Sequence, residues 1–577
     1  MYILGINAYH GDSAAALLKD GKVVSAIEEE RIRRIKHWAG FPSESIKFCL
    51  QYANISIDDI DYITIGRDPS AHLVKKIVGS ITRMLNIQFI RDRIYNLKKA
   101  TSIKREIVNV FNTDKDKVRA KVKYIEHHRS HLASAFFPSP FEEAAIISID
   151  GFGDFSSSMF AIGRGSNIKV IDSVTYPHSL GLFYTAFTQF LGFPYYGDEY
   201  KVMGLSSYGQ PTLTEKIRKV IRLRKDGKFE LNTDYFVHSS KGVTMSWDNC
   251  APFIEPLYSE KFIEEFGNPR GKSEPINDYH KDLAASVQKI CEEVIFHMLN
   301  ALYKRTKLKN ICIAGGVSQN SVANGKIKLN TPFERVYIPP AGYDAGNAIG
   351  SALWLYHQIL NNSERVLINS SSFGAQFSNE YIENMLKSRK VEYVRYSSED
   401  EVIEIASDML SKGAVLGWFQ GRTEFGPRAL GNRSVLTHPG REDAKDLINS
   451  KIKRRESFRP FAPSILREFV SEYFEQDDDV FFMEKVFTIK EEKRKMLPAV
   501  THVDGTGRLQ TVHKDITPKY YKLINKFREK TGLPILLNTS FNENEPIVNT
   551  PEEALDCFLR TEMDALIMED IIVVRNK

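Results

Sequence analysis

Short apolar runs that stop at a glycine or an aspartate recur along this chain of 577 residues. Ala144–Ile149 is followed by Asp150, and Ile311–Ala314 is followed by Gly315. Between these runs lies a long stretch with helical character, Asp282–Arg305. No apolar run approaches the ~20 residues that a membrane-spanning helix needs. Buried strands that alternate with helices predict an α/β fold, and the length predicts two large domains.

The beginning of the chain predicts two tight β-turns. Tyr2–Asn7 and Ala14–Leu18 are apolar runs on either side of the turn His10-Gly11-Asp12, and Asp20-Gly21 leads into Val23–Ile27. A hairpin that opens a large α/β domain with polar residues in its first turn is typical of the actin and sugar-kinase fold. In that fold the first turn faces a nucleotide. The pattern is compatible with an actin/sugar-kinase-like domain over residues 1–362, although hairpins are common in other folds as well.

A second α/β domain is expected over residues 373–577. The segment Asn361–Ser372 is rich in serine and asparagine, which is typical of a linker. Thr550-Pro551-Glu552-Glu553 is a capping box with proline at the first helical position, so a helix should begin there. The other predicted elements are a strand at Val415–Phe419, a helix at Asp443–Arg455, a strand at Ile535–Leu537 that feeds a polar loop, and two final strands around Glu569-Asp570.

Charge and cysteine content exclude several classes of protein. The 78 basic and 73 acidic residues give a net charge of +5, which is too balanced for a broad nucleic-acid-binding surface. The five cysteines are scattered without a Cys-x-x-Cys pair, which argues against disulfides and thiolate zinc sites. Met1–Leu18 lacks a basic segment and is interrupted by polar residues, unlike a signal peptide. These features predict a cytoplasmic protein with neither a membrane nor a nucleic-acid partner.

Two histidines four residues apart predict a metal site. His127 and His131 would share one face of a helix, while His128 points elsewhere. Two imidazoles on adjacent turns can bind one divalent cation when carboxylates from other segments complete the site. Asp150, after a predicted strand, and Asp344, in a loop of small residues, are the candidates. A helix end with solvated histidines is the alternative.

A glycine-rich segment is a second candidate for ligand binding. Gly315 and Gly316 follow a predicted strand and Asn320 precedes a predicted helix, so backbone N–H groups there could surround a phosphate. A tight strand-to-helix turn is the alternative. Lys201 could meet an anion, although a single lysine in a loop is usually solvated.

Arginines concentrate beside glycine and proline in the second domain. Arg422 and Arg428 stand next to these residues, which fix the backbone and orient the guanidinium groups for phosphate or carboxylate. The other candidates for binding phosphorylated ligands are Lys453, Arg454, Arg455, Arg459, Arg508, Asn538 and Ser540. These residues predict a polyanion site. A solvated basic face is the alternative, but such a face is rarely built on rigid turns.

The order of these motifs resembles the NodU/TobZ family of O-carbamoyltransferases over almost the whole chain. The segments that carry the resemblance are HHRSHLASAFFP from His127, EYKVMGL from Glu199, FGPRALGNRS from Phe425, FRPFAP from Phe458 and LNTSFN from Leu537. The resemblance implies that the first domain is similar to the metal-dependent transferases that place threonylcarbamoyl on tRNA. It implies that the second domain is similar to the YrdC-like domain, which makes carbamoyl adenylate.

The resemblance also implies roles for particular residues. The residues that would bind a divalent metal, which is iron in the family, are His127, His131, Asp150 and Asp344. The residues that would hold ATP and carbamoyl phosphate are Arg428, Lys453, Arg508, Asn538 and Ser540. Among these, Arg428 and Lys453 would act in the activation step. His10 and Asp12 would lie near the acceptor hydroxyl.

Two departures from the family pattern affect these roles. Many members have histidine directly before aspartate in the first turn, whereas this chain has Gly11 between His10 and Asp12. Either residue could therefore be the general base. Ser318-Gln319 replaces a pair that is usually apolar, which could alter how the first domain holds a nucleotide.

The implied reaction activates carbamoyl phosphate with ATP and Mg²⁺ to give carbamoyl-AMP, then transfers the carbamoyl group to a hydroxyl. Family members carbamoylate sugars, aminoglycosides and other natural products, and residues 70–115 and 210–280 could shape the acceptor pocket. The alternatives are a sugar kinase, a nucleotide-binding regulator without catalysis, and a tRNA threonylcarbamoyl-type transferase. The sequence leaves open whether the protein forms a homodimer.

Overall fold

The computed structural model describes residues 1–71, 103–114, 118–243, 245–247, 250–456 and 458–575. The chain divides into two compact units. The first unit comprises Met1–Gln319 and Ile327–Ile368, and the second comprises Asn320–Lys326 and Asn369–Lys577. The short segment Asn320–Lys326 therefore belongs to the second unit, although the sequence on both sides of it belongs to the first.

The opening hairpin is present as predicted and begins a five-stranded sheet. Its strands are β1 Tyr2–Asn7, β2 Ala14–Lys19, β3 Lys22–Glu28, β4 Tyr62–Ile65 and β5 Lys121–Tyr124. They lie in the order β3-β2-β1-β4-β5. Strand β2 is antiparallel to both β1 and β3, while β4 runs parallel to β1 and β5 parallel to β4. Asp20 and Gly21 both have positive φ, as the two-residue turn between β2 and β3 requires.

The second sheet of the first unit repeats this topology. The next strands along the chain are β6 Glu143–Gly153, β7 Ser156–Arg164, β8 Asn167–Thr175, β9 Ile221–Leu223, β10 Phe229–Leu231, β11 Met245–Ser246, β12 Phe253–Ile254, β13 Asn310–Ala314 and β14 Arg335–Tyr337. The order in the sheet is β8-β7-β6-β13-β14. Here too the first three strands are antiparallel and the last two are parallel. Strands β9 and β10 pair with each other, as do β11 and β12.

The prediction that a strand ends at Asp150 is wrong. Strand β6 continues to Gly153, with irregular pairing between Ile149 and Gly153. The strand is prolonged because the chain reverses only at Asp154 and Phe155, whose positive φ values of 50° and 82° form the turn into β7. Asp150 therefore lies within a strand, near its end.

Helices flank both sheets of the first unit. Their bounds are Glu29–Arg33, Ser43–Tyr52, Ile103–Phe111, His127–Phe136, Leu180–Phe190, Glu199–Leu205, Thr214–Ile217, His238–Lys241, Glu260–Phe266, Asp278–Thr306, Ile327–Asn330 and Asn347–Leu353. The helix predicted at Asp282–Arg305 is confirmed and begins four residues earlier, where the Asn277 side chain accepts the His280 N–H and caps it.

Two helices of the first unit approach each other closely through glycine. We call His127–Phe136 the histidine helix and Asn347–Leu353 the Asn347 helix. A Cβ atom on Gly350 would lie 2.0 Å from the Ser130 carbonyl oxygen, so only glycine allows this distance. The Asn347 helix packs just as closely on the first sheet, where a Cβ atom on Gly5 would lie 1.9 Å from the Ala348 carbonyl oxygen. The helix pair is therefore fixed against the strands.

The second unit is built on one mixed sheet. Its strands are β15 Val394–Arg395, β16 Leu416–Phe419, β17 Arg433–Thr437, β18 Ala462–Leu466, β19 Lys485–Thr488, β20 Thr506–Val512, β21 Ile535–Ser540, β22 Ala565–Met568 and β23 Ile571–Val574. They lie in the order β15-β23-β22-β16-β17-β21-β18-β20-β19. Apolar cores cover both faces, because alternate residues such as Trp418 and Phe419 belong to different cores.

The helices of the second unit include one that begins where its sequence cap predicts and one that is shorter than predicted. The helices are Ser321–Gly325, Asn379–Ser388, Glu399–Ser411, Ala444–Leu447, Val470–Tyr473, Glu491–Arg494, Pro518–Thr531 and Pro551–Arg560. The cap at Thr550 is confirmed, since its side chain accepts the Glu553 N–H. The two final strands are also confirmed. The helix predicted at Asp443–Arg455 is α-helical only over Ala444–Leu447 and continues as a wider π-helical turn over Ile448–Lys453.

The strand predicted at Ile535–Leu537 is longer than expected. It continues to Ser540, so Asn538 and Ser540 lie in β21 and not in a polar loop. Asn538 pairs with Leu436 of one neighbouring strand and with Ala462 of the other, and this pairing on both sides extends the strand.

The cysteines and the apolar segments of the described chain also agree with the sequence-based expectations. All five cysteines are free, and four of them are buried. Among the described residues no helix is both long and apolar enough to cross a membrane.

Replacing Gly350 by alanine tests the close approach of the two helices. The added Cβ would have to push the histidine helix away, and overpacking of this kind costs ~1–3 kcal/mol. This cost exceeds the ~1 kcal/mol that alanine gains over glycine in a helix. We expect a lower urea midpoint for Gly350→Ala. Gly271→Ala is the control, because its Cβ would meet nothing closer than 3.8 Å. Equal midpoints for the two variants would contradict the account.

Candidate metal centre and phosphate-binding residues

The two histidines of the predicted metal site lie side by side on the histidine helix. The Nε2 atoms of His127 and His131 are 3.1 Å apart. Asp150 Oδ2 lies 2.8 Å from His131 Nε2 and 3.4 Å from His127 Nε2. Asp344 Oδ1 lies 3.3 Å from His131 Nε2 and 3.4 Å from His127 Nε2. Four side chains from three distant parts of the sequence therefore meet within the first unit.

The donor set and its burial suit a metal ion. The potential ligand atoms of the four side chains lie within 4.8 Å of one another. Asp344 Oδ1, which faces both histidines, is buried and makes no hydrogen bond within the described part of the chain. Two imidazole nitrogens with two carboxylate oxygens form a set that divalent transition metals accept. The residues present therefore fit a divalent cation.

Neighbouring contacts fix the two histidines in place. The Asp154 carboxylate accepts the backbone N–H of His127 at 2.9 Å, which holds the start of the histidine helix. His128 turns away from the cluster, and its Nδ1 lies 2.8 Å from Ser148 Oγ on β6. A Cβ atom on Gly153 would lie 2.1 Å from the His127 ring, so glycine makes room for that ring. The end of β6 therefore shapes the cluster from one side.

Ion pairing dominates the electrostatics of the cluster. Burial acts to lower the pKa of His127, but the carboxylates of Asp344 and Asp150 raise it well above its usual value. Burial acts to raise the pKa of Asp344, but His10 and His127 hold it well below its usual value. His10 Nδ1 contacts Asp344 Oδ2 directly. The cluster is therefore stable only when its buried charges are compensated.

The first turn of the chain contains a second pair of charged groups. His37 Nδ1 lies 2.7 Å from Asp12 Oδ1. Burial acts to lower the pKa of His37, but Asp12 and Glu30 raise it to about 9. Sequence reasoning singled out His10 and Asp12 and missed His37, which no local spacing or motif marks. Asn347 was missed as well, although its amide nitrogen lies 3.3 Å from His131 Nε2.

The residues of the glycine-rich segment belong to two different units: Gly315 and Gly316 to the first, and Asn320 to the second. Gly315 has a φ of 89°, and a Cβ atom on it would lie 2.2 Å from the Ile149 carbonyl oxygen. A Cβ atom on Gly316 would lie 2.9 Å from Asp150 Oδ1, so this glycine borders the candidate metal site. Asn320 belongs to the second unit, where its side chain accepts the Ala323 N–H and caps the helix Ser321–Gly325.

Lys201 lies on a helix and not in the predicted loop. Its ammonium group lies 2.9 Å from Asp198 Oδ1 and 5.4 Å from the centre of the Phe193 ring. Its charge is therefore compensated within the first unit, and an anion would have to compete with Asp198.

Arg508 of the second unit is buried within the field of three other arginines. Burial and the positive charges of Arg428, Arg455 and Arg459 hold the pKa of Arg508 well below its usual value. These interactions destabilise the charged guanidinium of Arg508 in the free protein. A bound anion with several negative charges would reverse the repulsion. The arrangement is therefore suited to a phosphorylated ligand.

Lys453 and its neighbours form a hydrogen-bonded network in the same unit. The buried Lys453 ammonium donates to Asn542 Oδ1 at 2.6 Å, to the Asn542 carbonyl oxygen at 2.8 Å and to Ser540 Oγ at 3.2 Å. Asn538 donates to the Ala429 carbonyl oxygen at 3.2 Å, and its own Oδ1 is buried without a hydrogen bond in the described chain. Asn538 therefore links β21 to Ala429, the residue beside Arg428, while Lys453 separately contacts Ser540 at the end of the same strand.

Arg422 is occupied by backbone contacts. Its Nε donates to the Gly374 carbonyl oxygen at 3.1 Å, and its Nη2 donates to the Phe373 carbonyl oxygen. These contacts fix the segment that begins the second unit.

Comparison with known proteins identifies the family. The family model described as "Carbamoyltransferase N-terminus" matches residues 2–353. The model described as "Carbamoyltransferase C-terminus" matches residues 407–575. This chain belongs to the carbamoyltransferase family. The enzyme is therefore a carbamoyltransferase, and the resemblance noted in the sequence is confirmed.

Two of three relatives of this carbamoyltransferase align with nearly all of its length. An uncharacterized protein of Synechocystis is 40% identical and covers 100% of this chain and 97% of its own. Nodulation protein NolNO of Sinorhizobium fredii is 36% identical and covers 99% and 80%. Nodulation protein NolO of Bradyrhizobium diazoefficiens is 39% identical and covers 78% of each chain. A solved dehydratase component from Acidaminococcus fermentans covers 63% of this chain and 100% of its own at 15% identity, but its TM-score of 0.33 is too low to assign the fold.

Removing one histidine tests the metal centre by binding alone. His131→Ala deletes one of the four metal-binding side chains. Loss of a residue that only hydrogen-bonds to a metal ligand lowers affinity by ~10–100-fold, so we expect a larger fall in Fe²⁺ or Zn²⁺ affinity here. Equilibrium dialysis followed by elemental analysis measures the bound metal. His128→Asn is the matched control on the same helix, because His128 faces Ser148. Unchanged metal binding by His131→Ala would remove the histidine from the site.

Replacing Arg508 tests whether the arginine group is built for an anion. Arg508→Gln removes repulsion in the free protein, so we expect an equal or higher melting temperature without ligand at low salt. We also expect the stabilisation that pyrophosphate gives the wild type to be lost. Thermal unfolding with and without pyrophosphate measures both effects. The control Arg389→Gln removes an exposed arginine that is paired with Asp556 and should keep the pyrophosphate effect. A full pyrophosphate effect in Arg508→Gln would contradict this role.

Proposed function

We propose that this carbamoyltransferase is ATP-dependent and works in two steps, with carbamoyl-AMP formed in the second unit and consumed in the first. The observation that carries the proposal is the arginine group around Arg508, whose repulsion a polyanionic ligand would relieve. ATP and carbamoyl phosphate together supply such a charge. The balanced activation consumes one water and gives carbamoyl-AMP, phosphate and pyrophosphate.

The residues of the second unit would position the reactants for activation. Arg428, Arg455, Arg459 and Arg508 would stabilise charge that develops on phosphorus and on the departing pyrophosphate, with Mg²⁺ accompanying ATP. Lys453 and Asn538 would fix the geometry of the neighbouring strand end, and Ser540 would contribute a hydroxyl there. Arg422 would act indirectly, through its backbone contacts.

The residues of the first unit would carry out the transfer. His127, His131, Asp150 and Asp344 would hold a divalent metal, iron by the family resemblance, which supplies Lewis acidity when bound. His10 and Asp12 would lie beside the acceptor hydroxyl. Gly315, which borders Ile149, and Gly316, which borders Asp150, would leave room for the nucleotide of carbamoyl-AMP, and Lys201 would lie near it.

We further propose the finer folds of the two units. Two five-stranded sheets with the same order and the same strand directions support the actin/sugar-kinase fold for the first unit, because that fold is built from two such halves. The mixed sheet of the second unit is compatible with a YrdC-like domain. A cytoplasmic location fits five free cysteines.

The acceptor would be a hydroxyl on a sugar or another natural product. Of the two regions assigned to its pocket, 210–280 is largely described and contains the helix Glu260–Phe266 and two short hairpins. Of the other, 70–115, the part from 72 to 102 and residue 115 lie outside the described residues. The pocket remains a proposal for both regions.

The nucleotide product separates the proposal from a sugar kinase. With ATP and carbamoyl phosphate we expect AMP and pyrophosphate, whereas a kinase gives ADP. We expect Arg428→Ala to abolish ATP–pyrophosphate exchange that depends on carbamoyl phosphate, since an arginine of the activation site is lost. His127→Ala should keep this exchange and lose transfer to an alcohol. Normal exchange in Arg428→Ala, or intact transfer in His127→Ala, would contradict the assignment of the two steps.

A further inference from the structure

The pair formed by Asp12 and His37 is held rigidly at the first turn. Asp12 N donates to the His37 carbonyl oxygen at 3.4 Å, and Ser13 N donates to the Trp38 carbonyl oxygen at 2.8 Å. The backbone N–H of His37 donates to Glu30 Oε2 at 2.8 Å. Asp12 and His37 both have positive φ, of 60° and 56°, which is an uncommon conformation for non-glycine residues. The side-chain pair is therefore positioned by the backbone on both sides.

The ring of His37 offers its Nε2 atom to a ligand. Asp12 engages Nδ1, and the side chain of His37 is 32% exposed, so a small molecule can reach it. The neighbour on the Nε2 side is Gly197, on which a Cβ atom would lie only 2.4 Å from Nε2. Gly197 has a φ of 83°, so both its conformation and the space require glycine. The structure thus leaves Nε2 as the atom that can meet a substrate.

The pair also lies beside the metal cluster. His10, two residues before Asp12, contacts Asp344. The ring of Tyr196 lies 5.3 Å from that of His37. Burial raises the pKa of Tyr196, and the charges of Asp12, Asp344 and Asp150 raise it further. Tyr196 therefore lies close to His37 and within the electrostatic influence of Asp12, Asp344 and Asp150. This places the Asp12–His37 pair at the edge of the proposed transfer site.

We propose that His37, oriented by Asp12, is the catalytic residue that takes the proton from the acceptor hydroxyl during carbamoyl transfer. The inference rests on the proposed function. As the acceptor oxygen bonds to the carbamoyl carbon, its proton moves to Nε2 of His37. The bond between that carbon and the phosphate oxygen of AMP breaks, and AMP leaves with the electron pair. Asp12 is a positioning residue that holds the ring and stabilises its protonated form.

Charged groups around His37 determine the pH dependence of this step. The groups that act on it are Asp12, Glu30 and Lys36, and His37 in turn acts on Glu199. With a pKa of about 9, His37 is mostly protonated at neutral pH, so only its deprotonated fraction can accept a proton. Transfer to an alcohol should therefore rise with pH up to about 9. Asp12→Asn removes the charge that raises this pKa, so the rise should move to lower pH while the plateau rate falls.

Two surrogate acceptors separate proton removal from the rest of the reaction. Glycerol is a neutral alcohol that needs a general base, whereas hydroxylamine is nucleophilic as the free base. His37→Asn keeps a group near Nδ1 for Asp12 but has no Nε2. We expect its carbamoyl transfer to glycerol to fall by ~10²–10⁴-fold, the usual contribution of a general base. ATP-dependent formation of hydroxyurea from hydroxylamine should fall far less. His297→Asn is the control, since in the described part of the chain its Nε2 lies 2.7 Å from the Arg224 carbonyl oxygen and contacts no residue of the proposed site.

Each outcome of this experiment has a definite meaning. Absence of ATP-dependent hydroxyurea in the wild type would contradict the proposed function itself. An equal loss of both products in His37→Asn, or no loss of either, would overturn the role of His37 alone. So would an unchanged pH profile in Asp12→Asn. If the wild type bound two equivalents of metal and His37→Asn bound one, Asp12, Glu30 and His37 would form a cation site. That result would also overturn the proposal.

Discussion

Buried charge that must be compensated determines the architecture of the first unit. Two carboxylates and two imidazoles meet within 4.8 Å of one another, and isolated charges in such surroundings would be strongly destabilising. The fold brings them together by precise close packing. Gly350 lets the two helices touch, Gly153 makes room for a histidine ring, and Gly316 abuts Asp150. Each of these glycines is needed for space and not for flexibility.

The second unit shows the opposite electrostatic situation. Burial and the like charges of Arg428, Arg455 and Arg459 all disfavour the charged form of Arg508. Such an arrangement lowers the stability of the free protein and raises its affinity for an anion, which is a common property of binding sites. The two units thus present complementary environments, one suited to a cation and the other to polyanions. The proposed two-step reaction would use both, the second unit for phosphate charge and the first for the carbonyl group.

Local sequence signals predicted the elements whose structure local interactions determine. The opening hairpin follows from the turn at Asp20-Gly21, and the helix at Pro551 follows from its Thr550 cap. Errors occurred where distant strands decide. Strand β21 continues through Ser540 because it has partners on both sides, and β6 passes Asp150 because its hairpin closes later.

The sequence predicted those residues of the candidate site that local spacing marks, and missed those brought in by long-range contacts. The spacing of His127 and His131 is a local helical signal, and the two helical positions do share one face. The approach of Asp344 depends on the packing of the Asn347 helix, which only the small residues of its loop suggested. His37 could not be found from spacing, because its partnership with Asp12 joins residues 25 positions apart through backbone pairing. Asn320 was grouped with the glycines before it, but the chain changes units at that residue.

The most direct test of the two-step account is to stop the reaction after activation. His127→Ala protein would be incubated with ATP labelled at the α-phosphate and carbamoyl phosphate labelled at carbon, then denatured and separated. The account predicts one small molecule that carries both labels in equal amounts, together with free pyrophosphate. Labels that remain in separate molecules, with ADP as the nucleotide product, would contradict it.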